Sequence, residues 1–186
     1  MTLHQPRPDL TDGTVTLRRW EAGDLGCIEQ AATDPDIPTG TTVPAVFTEA
    51  AGLAFVGRQH GRLDDGEGLS LAVTRATTGK AVGLVVLLHR PKAGVVEVGY
   101  WLVPAARGNG LAGRAVRLLS DWALTEGGEA RVEALVHPWN EASHRTLLAA
   151  GFTREGVLRS ALPGRDRRSD AVVWSRISED VAAAPH

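Results

Sequence analysis

The sequence is poor in cysteine and has no excess of charge of one sign, and each shortage excludes a class of protein. Cys27 is its single cysteine, so no intrachain disulfide can form. The 20 basic and 22 acidic residues leave a net charge of -2, which argues against a nucleic-acid surface held by bulk charge. Histidine and cysteine do not occur at compact metal-ligand spacings, so no metal site is expected.

Long apolar runs are also missing. The longest, Ala81 to Leu88, is far too short to span a bilayer. The segment from Met1 to Asp12 is polar and lacks the apolar centre of a signal peptide. We therefore expect a cytoplasmic protein without a membrane partner.

The 186 residues fit one domain, expected over residues 14–178, with an N-terminal arm at 1–13 and a C-terminal tail at 179–186. Alternation, apolar stripes and turn residues predict an α/β fold of the α+β type. Its sheet is expected to be mixed and mostly antiparallel, with six to seven strands and about four flanking helices. The predicted strands are 14–20, 69–74, 81–88, 95–103, 131–136, 153–160 and 169–177, and the predicted helices begin at Ala22, Thr48, Leu111 and Asn140.

A glycine-rich segment precedes the helix that begins at Leu111. A helix N-terminus has free N–H groups and a partial positive charge, and Gly108 and Gly110 would let an anion approach the backbone. Arg107 and Arg114 add cationic side chains. The segment therefore predicts a site for a phosphate-bearing ligand.

Gly108, Gly110 and Gly113 also satisfy the G-x-G-x-x-G pattern of dinucleotide-binding enzymes. In that fold the strand leads directly into the first glycine within a βαβ unit. Here Pro104 and Arg107 intervene after an antiparallel meander, which disfavours a nicotinamide-dependent oxidoreductase. A nucleotide P-loop would need lysine after its last glycine, and Arg114 follows Gly113.

Residues 100–112 resemble the signature segment of the GNAT (Gcn5-related) N-acetyltransferases, whose core pattern is [QR]-x-x-G-x-[GA]. The resemblance extends from about Thr14 to Ile177. The branch that contains the ribosomal-protein N-terminal alanine and serine acetyltransferases is similar in several further segments: VTLR at 15–18, DPDI at 34–37, EVGYW at 97–101, NEAS at 140–143 and GFTREG at 151–156.

This resemblance implies the GNAT fold and acetyl-CoA as acyl donor. The strand at Leu102 and Val103 would pair with the pantetheine arm, where a splayed sheet leaves its edge free. Asn140 matches a residue that often hydrogen-bonds that arm. A homodimer is a further expectation, because this fold often dimerises. The pyrophosphate would bind the loop formed by Arg107, Gly108, Asn109, Gly110, Leu111, Ala112 and Gly113.

Glu97 is the best candidate for a general base. It is the one charge in an apolar strand, and burial would raise its pKa. The alternatives are a carboxylate neutralised by the strand of Arg18 and Arg19, or one that faces solvent. His89, His137 and His144 are weaker candidates.

Ser143 matches the serine that the ribosomal branch is proposed to use to protonate the CoA thiolate. Its alternative role is that of a serine in the first turn of a helix. Many other members use a tyrosine one turn later, where this chain has Leu147, so a tyrosine acid is excluded there. Leu162 stands where the acetyltransferase of the ribosomal stalk protein has a glutamate, so that specific activity is not expected.

The expected function is transfer of an acetyl group to a primary amine, either a protein or peptide N-terminus or a small molecule. A non-catalytic acyl-CoA sensor and an acyltransferase with a longer donor such as succinyl-CoA are the alternatives. The tryptophans are expected in the core or in a pocket wall. A basic turn at residues 164–168 would contact either solvent or an acidic acceptor.

Overall fold

A computed structural model describes residues 3–164 and 167–182. Its strands are β1 Leu10–Thr11, β2 Val15–Arg18, β3 Gly68–Arg75, β4 Ala81–His89, β5 Val95–Leu102, β6 Arg131–Val136, β7 Thr153–Leu162 and β8 Ser169–Ile177. They form a single sheet of eight in the order β1-β2-β3-β4-β5-β6-β8-β7. Only β5 and β6 pair in parallel, as the other neighbours in this sheet are antiparallel.

The helices are α1 Leu25–Ala32, α2 Ile37–Gly40, α3 Glu49–Asp64, α4 Leu111–Leu124, α5 Glu141–Ala149 and α6 Ser178–Ala182. Thr48 caps α3 by accepting a hydrogen bond from the Ala51 amide at 3.1 Å. In the described part of the chain, no helix is long and apolar enough to cross a membrane.

The two faces of the sheet carry different helices. On one face, Trp101 of β5 packs against Phe55 of α3, with ring centroids 6.4 Å apart. On the other face lies α4, which in turn contacts α5. Four residues of the predicted apolar stripe of α4 are buried: Leu111, Ala115, Leu119 and Trp122. The fifth, Leu118, is partly buried.

The predicted α+β sheet is confirmed, but it has eight strands rather than six to seven. The extra strand, β1, lies in the predicted arm and pairs with β2 through a turn at Asp12 and Gly13. Asp12 Oδ1 accepts from the amides of Thr14 and Val15, both at 2.9 Å, and Gly13 has a φ of 81°. A two-residue strand is too short to show an alternating pattern in the sequence.

Three further segments differ from their predictions. The helix predicted from Ala22 begins as a 3-10 turn, Ala22–Asp24, and continues as α1. The predicted loop at 34–47 contains α2, and the predicted tail begins within α6. Residues 183–186 of that tail lie outside the described range.

The parallel pair decides the shape of the sheet centre. Strands β5 and β6 pair only at Val95–Arg131, Val96–Val132 and Glu97–Glu133, and beyond Glu97 they separate. The chain from β5 through α4 to β6 is thus one parallel crossover unit, which the predicted meander did not include. The gap between the strands opens toward the N-terminus of α4.

Candidate active site

The gap between β5 and β6, which we call the splay, leaves backbone groups of β5 without a strand partner. From Val98 to Leu102, β5 still pairs with β4 on its other edge. Strand β6 beyond Glu133 pairs only with β8. Unpaired N–H and C=O groups need other partners, so an extended ligand with amide groups fits this edge.

The glycine loop lies at the open end of the splay. Gly108 and Gly110 have φ values of 80° and 71°, which L-residues rarely adopt, and a Cβ on either glycine would meet no atom within 4 Å. Gly110 is the N-cap of α4, so the amides of Leu111 and Ala112 belong to the first turn and lack helical partners. These features suit an anion held by backbone amides.

Gly113 has a packing position instead. A Cβ there would lie 3.5 Å from the Thr146 carbonyl oxygen and 3.6 Å from the Ala149 Cβ. The absence of a side chain lets α4 approach α5 closely. Asn109 is exposed, and its side-chain Nδ2 donates to the Arg107 carbonyl at 3.3 Å.

The Arg107 side chain is bound to Asp34, just before α2, rather than left free for a phosphate. Its Nη2 donates to Asp34 Oδ2 at 2.8 Å, and its Nε donates to the Leu102 carbonyl at 3.0 Å. Asp34 also accepts from the amides of Asp36 and Ile37 at the start of α2. Burial would raise the pKa of Asp34, but these two amides and then Arg107 outweigh it and hold the pKa below its ordinary value.

A cavity of about 520 Å³ adjoins the glycine loop. Arg114 and Arg117 of α4 line it, together with Asp12 from the β1–β2 turn. Arg114 Nη1 lies 2.7 Å from Asp12 Oδ2, so the predicted arm reaches the mouth of the site. Two arginines beside a helix N-terminus favour a phosphorylated nucleotide as ligand.

The other residues expected to contact the cofactor lie along the same path. The Val103 amide donates to the Val82 carbonyl at 2.9 Å, so its donor is already used by β4. The Leu102 carbonyl, in contrast, faces away from β4 and accepts from Arg107. Asn140 caps α5 through Oδ1, which accepts from the Ser143 amide at 3.1 Å, and no described hydrogen bond uses its Nδ2.

Glu97 lies at the apex of the splay, directly beside Glu133 of β6. Its Oε2 is 3.0 Å from Arg90 Nη1, and its side chain is 25% exposed. Burial raises the pKa of the Glu97 carboxyl, and the Glu133 carboxylate adds to the rise while the Arg90 guanidinium opposes it. The alternative that Arg18 neutralises Glu97 is wrong, because Arg18 forms a two-fold hydrogen bond with Asp24.

Ser143 lies on the opposite face of the sheet from Glu97. Side chains alternate along a strand, so Glu97 shares the face of Trp101, whereas Tyr100 points to the face of α5. The Tyr100 Oη is 2.6 Å from the Ser143 Oγ. Sequence reasoning excluded a tyrosine at the position of Leu147, which is fully buried, and did not consider that β5 supplies one instead.

The histidines and tryptophans sort into different roles. Trp174 Nε1 donates to His144 Nδ1 at 3.1 Å, which fixes that ring against β8. His137 stacks on Trp139 with centroids 5.1 Å apart, and Trp139 is 71% exposed, unlike the buried Trp101, Trp122 and Trp174. His89 ends β4.

The predicted basic turn is only partly described, because residues 165 and 166 lie outside the described range. Arg168 is bound to the carbonyls of Ser160 and Ala161. Leu162 ends β7 and pairs with Ser169. Among residues 3–164 and 167–182, no three His, Cys, Asp or Glu side chains are placed to hold a metal ion.

Comparison with known proteins identifies the family to which this chain is similar. A family model described as "Acetyltransferase (GNAT) domain" matches residues 14–153. The "Probable N-acetyltransferase YjcK" of Bacillus subtilis (strain 168) is 36% identical over 100 residues, which are 53% of this chain and 55% of that protein. The match thus spans about half the length of YjcK. The "Uncharacterized N-acetyltransferase p20" of Bacillus licheniformis is 26% identical over 170 residues, 90% of this chain and 95% of that one.

Solved structures share the fold at lower identity. Mycobacterium smegmatis RimJ in complex with CoA-disulfide superposes with a TM-score of 0.76 at 20% identity, covering 89% of this chain and 83% of RimJ. The microcin C7 self-immunity acetyltransferase MccE, in complex with acetyl-CoA and AMP, gives 0.76 at 21% identity over 91% and 97% of the two chains. The chain therefore belongs to the GNAT acetyltransferase family and is an N-acetyltransferase whose acyl donor is acetyl-CoA.

Proposed function

We propose that the enzyme transfers the acetyl group directly to a primary amine within the splay, with Glu97 on the acceptor face and Ser143 on the α5 face. The observation that supports this most is their placement: a half-buried carboxylate lies on one side of the unpaired β5 edge and a hydroxyl on the other. A thioester between them would meet a base from one side and a proton donor from the other.

Backbone groups would hold the donor. The amides that follow Gly108 and Gly110 suit the pyrophosphate, and the arginines of the 520 Å³ cavity suit the remaining phosphate charge. The free edge of β5 at Leu102 suits the pantetheine amides, and the Nδ2 of Asn140 offers a further donor at the far wall. Val103 would lie beside the pantetheine arm without binding it through its amide, because that amide already donates to β4.

Glu97 would accept the proton that the amine loses as its nitrogen attacks. The raised pKa of Glu97 favours this role, because a general base is most efficient when its pKa lies near the operating pH. An α-amine has a pKa of roughly 7.7–8.0 and a lysine about 10.4, so an α-amine needs less help. Ser143 would give its proton to the sulfur as the C–S bond breaks.

The acceptor class that this site favours is a cationic amine. Glu97 and Glu133 lie side by side at the apex, each beside an arginine, and their carboxylates would also hold an ammonium group before it loses its proton. Peptide N-termini and small amines both meet this description. MccE and RimJ share the fold at identities too low to transfer a substrate.

A turnover panel tests the proposal. Purified enzyme with acetyl-CoA is assayed for thiol release against peptides with N-terminal alanine or serine, free amino acids, polyamines and amino sugars. Succinyl-CoA replaces acetyl-CoA in a parallel series to test a longer donor. Turnover with at least one amine is expected, and binding of acetyl-CoA without turnover on any amine would contradict the proposal.

A further inference from the structure

Tyr100 is the only tyrosine of the chain, and its hydroxyl reaches the residue expected to protonate the leaving group. Its Oη is 2.6 Å from the Ser143 Oγ and 3.3 Å from the Ser143 carbonyl oxygen. Both side chains are half-buried. The hydrogen bond joins β5 to the first turn of α5 across the splay, so it spans the two walls between which the thioester would lie.

The direction of this hydrogen bond matters for chemistry. A phenol has one proton to donate, and a hydroxyl has one proton and two acceptor lone pairs. The separation of 2.6 Å is short for a neutral pair of hydroxyls, whereas 3.3 Å to the carbonyl is beyond the usual range. The phenol therefore binds the Ser143 Oγ rather than the carbonyl, and either hydroxyl can be the donor of this bond.

A serine in a first helical turn has other uses for its proton. Left alone, the hydroxyl rotates and can donate to a carbonyl of the preceding turn. Proton donation to a departing sulfur needs the opposite orientation. Asn140 binds only the backbone amide of Ser143, so the orientation of the Ser143 hydroxyl must be fixed by another group.

Building on the proposed role of Ser143, we propose that Tyr100 is a positioning residue: it donates to the Ser143 Oγ and thereby directs the serine proton toward the sulfur of the leaving thiol. The C–N bond forms and the C–S bond breaks, and the sulfur takes the bonding electron pair and the Ser143 proton. The Ser143 oxygen takes a proton from water as it gives up its own, so that it stays a neutral hydroxyl and keeps the Tyr100 hydrogen bond. The proton of the amine leaves through Glu97, so the reaction is balanced.

The protonation state of Tyr100 fits this role. Burial raises the pKa of Tyr100 to about 12, and the side-chain hydrogen bonds that it shares with Ser143 and Thr146 act against that rise. The phenol is therefore neutral near neutral pH and keeps a proton that it can donate to the Ser143 Oγ.

The first test is a double-mutant cycle in turnover. Tyr100→Phe keeps the ring and removes the hydroxyl, and we expect kcat to fall roughly tenfold with the KM for acetyl-CoA unchanged. In a Ser143→Ala background the same change should have no further effect, because the hydroxyl that Tyr100 orients is gone. Equal losses in both backgrounds, or a raised KM with kcat unchanged, would overturn the proposal.

Ser70→Ala provides the matched control. Ser70 is also a buried hydroxyl with one short side-chain partner, Gln59 Oε1 at 3.0 Å, but it lies away from the splay. It should lower the melting temperature without lowering kcat. A kcat loss in Ser70→Ala equal to that of Tyr100→Phe would show that any buried hydroxyl has this effect.

The second test needs no acceptor. Because the chain has one tyrosine, labelling with [ζ-13C]tyrosine gives a single NMR signal whose shift reports the hydrogen bond of the phenol. Ser143→Ala should move that signal, and Ser70→Ala should not. An unmoved signal would overturn the tyrosine–serine contact alone, whereas a moved signal with no turnover on any amine would overturn the proposed reaction instead.

Discussion

The cofactor side and the acceptor side of the splay are built in different ways. The proposed cofactor side is one continuous backbone segment, with two glycines in left-handed conformation and a helix N-terminus, beside Arg114 and Arg117. On the proposed acceptor side, charged side chains neutralise one another: Arg90, just after β4, with Glu97 of β5, and Arg131 with Glu133, both of β6. Backbone geometry tolerates many neighbouring sequences, whereas ion pairs depend on each partner.

This difference has a consequence for substitutions. A charged side chain placed in the phosphate space of the glycine loop should abolish donor binding, because it would block the backbone amides there. Changes on the acceptor side should instead shift pKa values and rates, because each carboxylate has neighbours that partly compensate. Substitutions at Gly110, Glu97, Ser143 and Asp34, with controls at neighbouring residues, sharpen or break that contrast in decreasing order of expected effect.

Gly110→Glu should abolish acetyl-CoA binding. Its carboxylate would extend into the open space where the pyrophosphate is expected, and a negative charge at a helix N-terminus does not harm the helix itself. The left-handed φ of 71° adds about 1–2 kcal/mol of strain. A thermal-shift titration with acetyl-CoA measures the effect, since a ligand of the folded state raises the melting temperature.

Gly110→Asn is the control for that strain, because asparagine tolerates the left-handed region and adds no charge. Most of the thermal shift should survive in this variant. If both variants lose it equally, or if Gly110→Glu keeps it, the pyrophosphate does not lie on this loop.

Glu97→Gln should lower kcat by about 10²–10⁴-fold with little change in acetyl-CoA affinity. The deprotonated form is active, so the acidic limb of the wild-type pH–rate profile should lie above the range of an ordinary glutamate, and it should vanish in the variant. An unaltered profile in Glu97→Gln would make this residue structural.

Two neighbours should move the same limb in opposite directions. Glu133→Gln removes a negative charge that raises the pKa of Glu97, so the limb should shift to lower pH. Arg90→Ala removes the opposing positive charge, so the limb should shift to higher pH. Shifts in the same direction for both would contradict the assignment of the limb to Glu97.

Ser143→Ala should lower kcat by roughly tenfold to a hundredfold, with a larger effect for poorer leaving thiols. The sequence alone predicts an unchanged or slightly higher melting temperature, because alanine favours helices. The structure changes that expectation: the Tyr100 hydroxyl loses its short partner, so a small loss of stability is expected. Full turnover together with reduced stability would leave Ser143 as a helix residue only.

Asp34→Asn should have the smallest effect on the chemistry and a measurable effect on stability. The folded-state pKa of Asp34 is lowered, so its contribution is present above its unfolded pKa of about 3.9 and is lost as the pH falls through the folded value. We expect a loss of about 1–3 kcal/mol at neutral pH by urea unfolding. The difference from wild type should shrink below pH 4, and a constant difference would contradict this account.

The same variant also probes how the two sides are joined. Asp34 binds Arg107, so its loss should loosen α2 relative to the glycine loop and raise the KM for the amine more than the KM for acetyl-CoA. Arg107→Ala, which leaves the two amide contacts of Asp34 in place, should reduce stability less than Asp34→Asn.

The sequence alone determined the parts of this protein in which neighbouring residues decide the conformation. The apolar stripe of α4, the strand at 131–136, the asparagine cap of α5 and the glycines of the loop follow from local periodicity, capping and backbone freedom. The loop proposed as the donor site could therefore be located in the sequence, residue by residue. Even so, Gly113 and the Val103 amide have packing and pairing partners that the segment itself does not reveal.

Only the tertiary structure decided the rest, because it depends on residues far apart in the chain. Arg90 rather than Arg18 faces Glu97, β1 joins the sheet edge, and Arg107 binds a carboxylate 73 positions away. A sequence pattern places the tyrosine on β5 and the serine on α5, 43 positions apart, but not in contact. Their meeting requires β5 and β6 to separate after three residue pairs, and sheet register is a property of the folded whole.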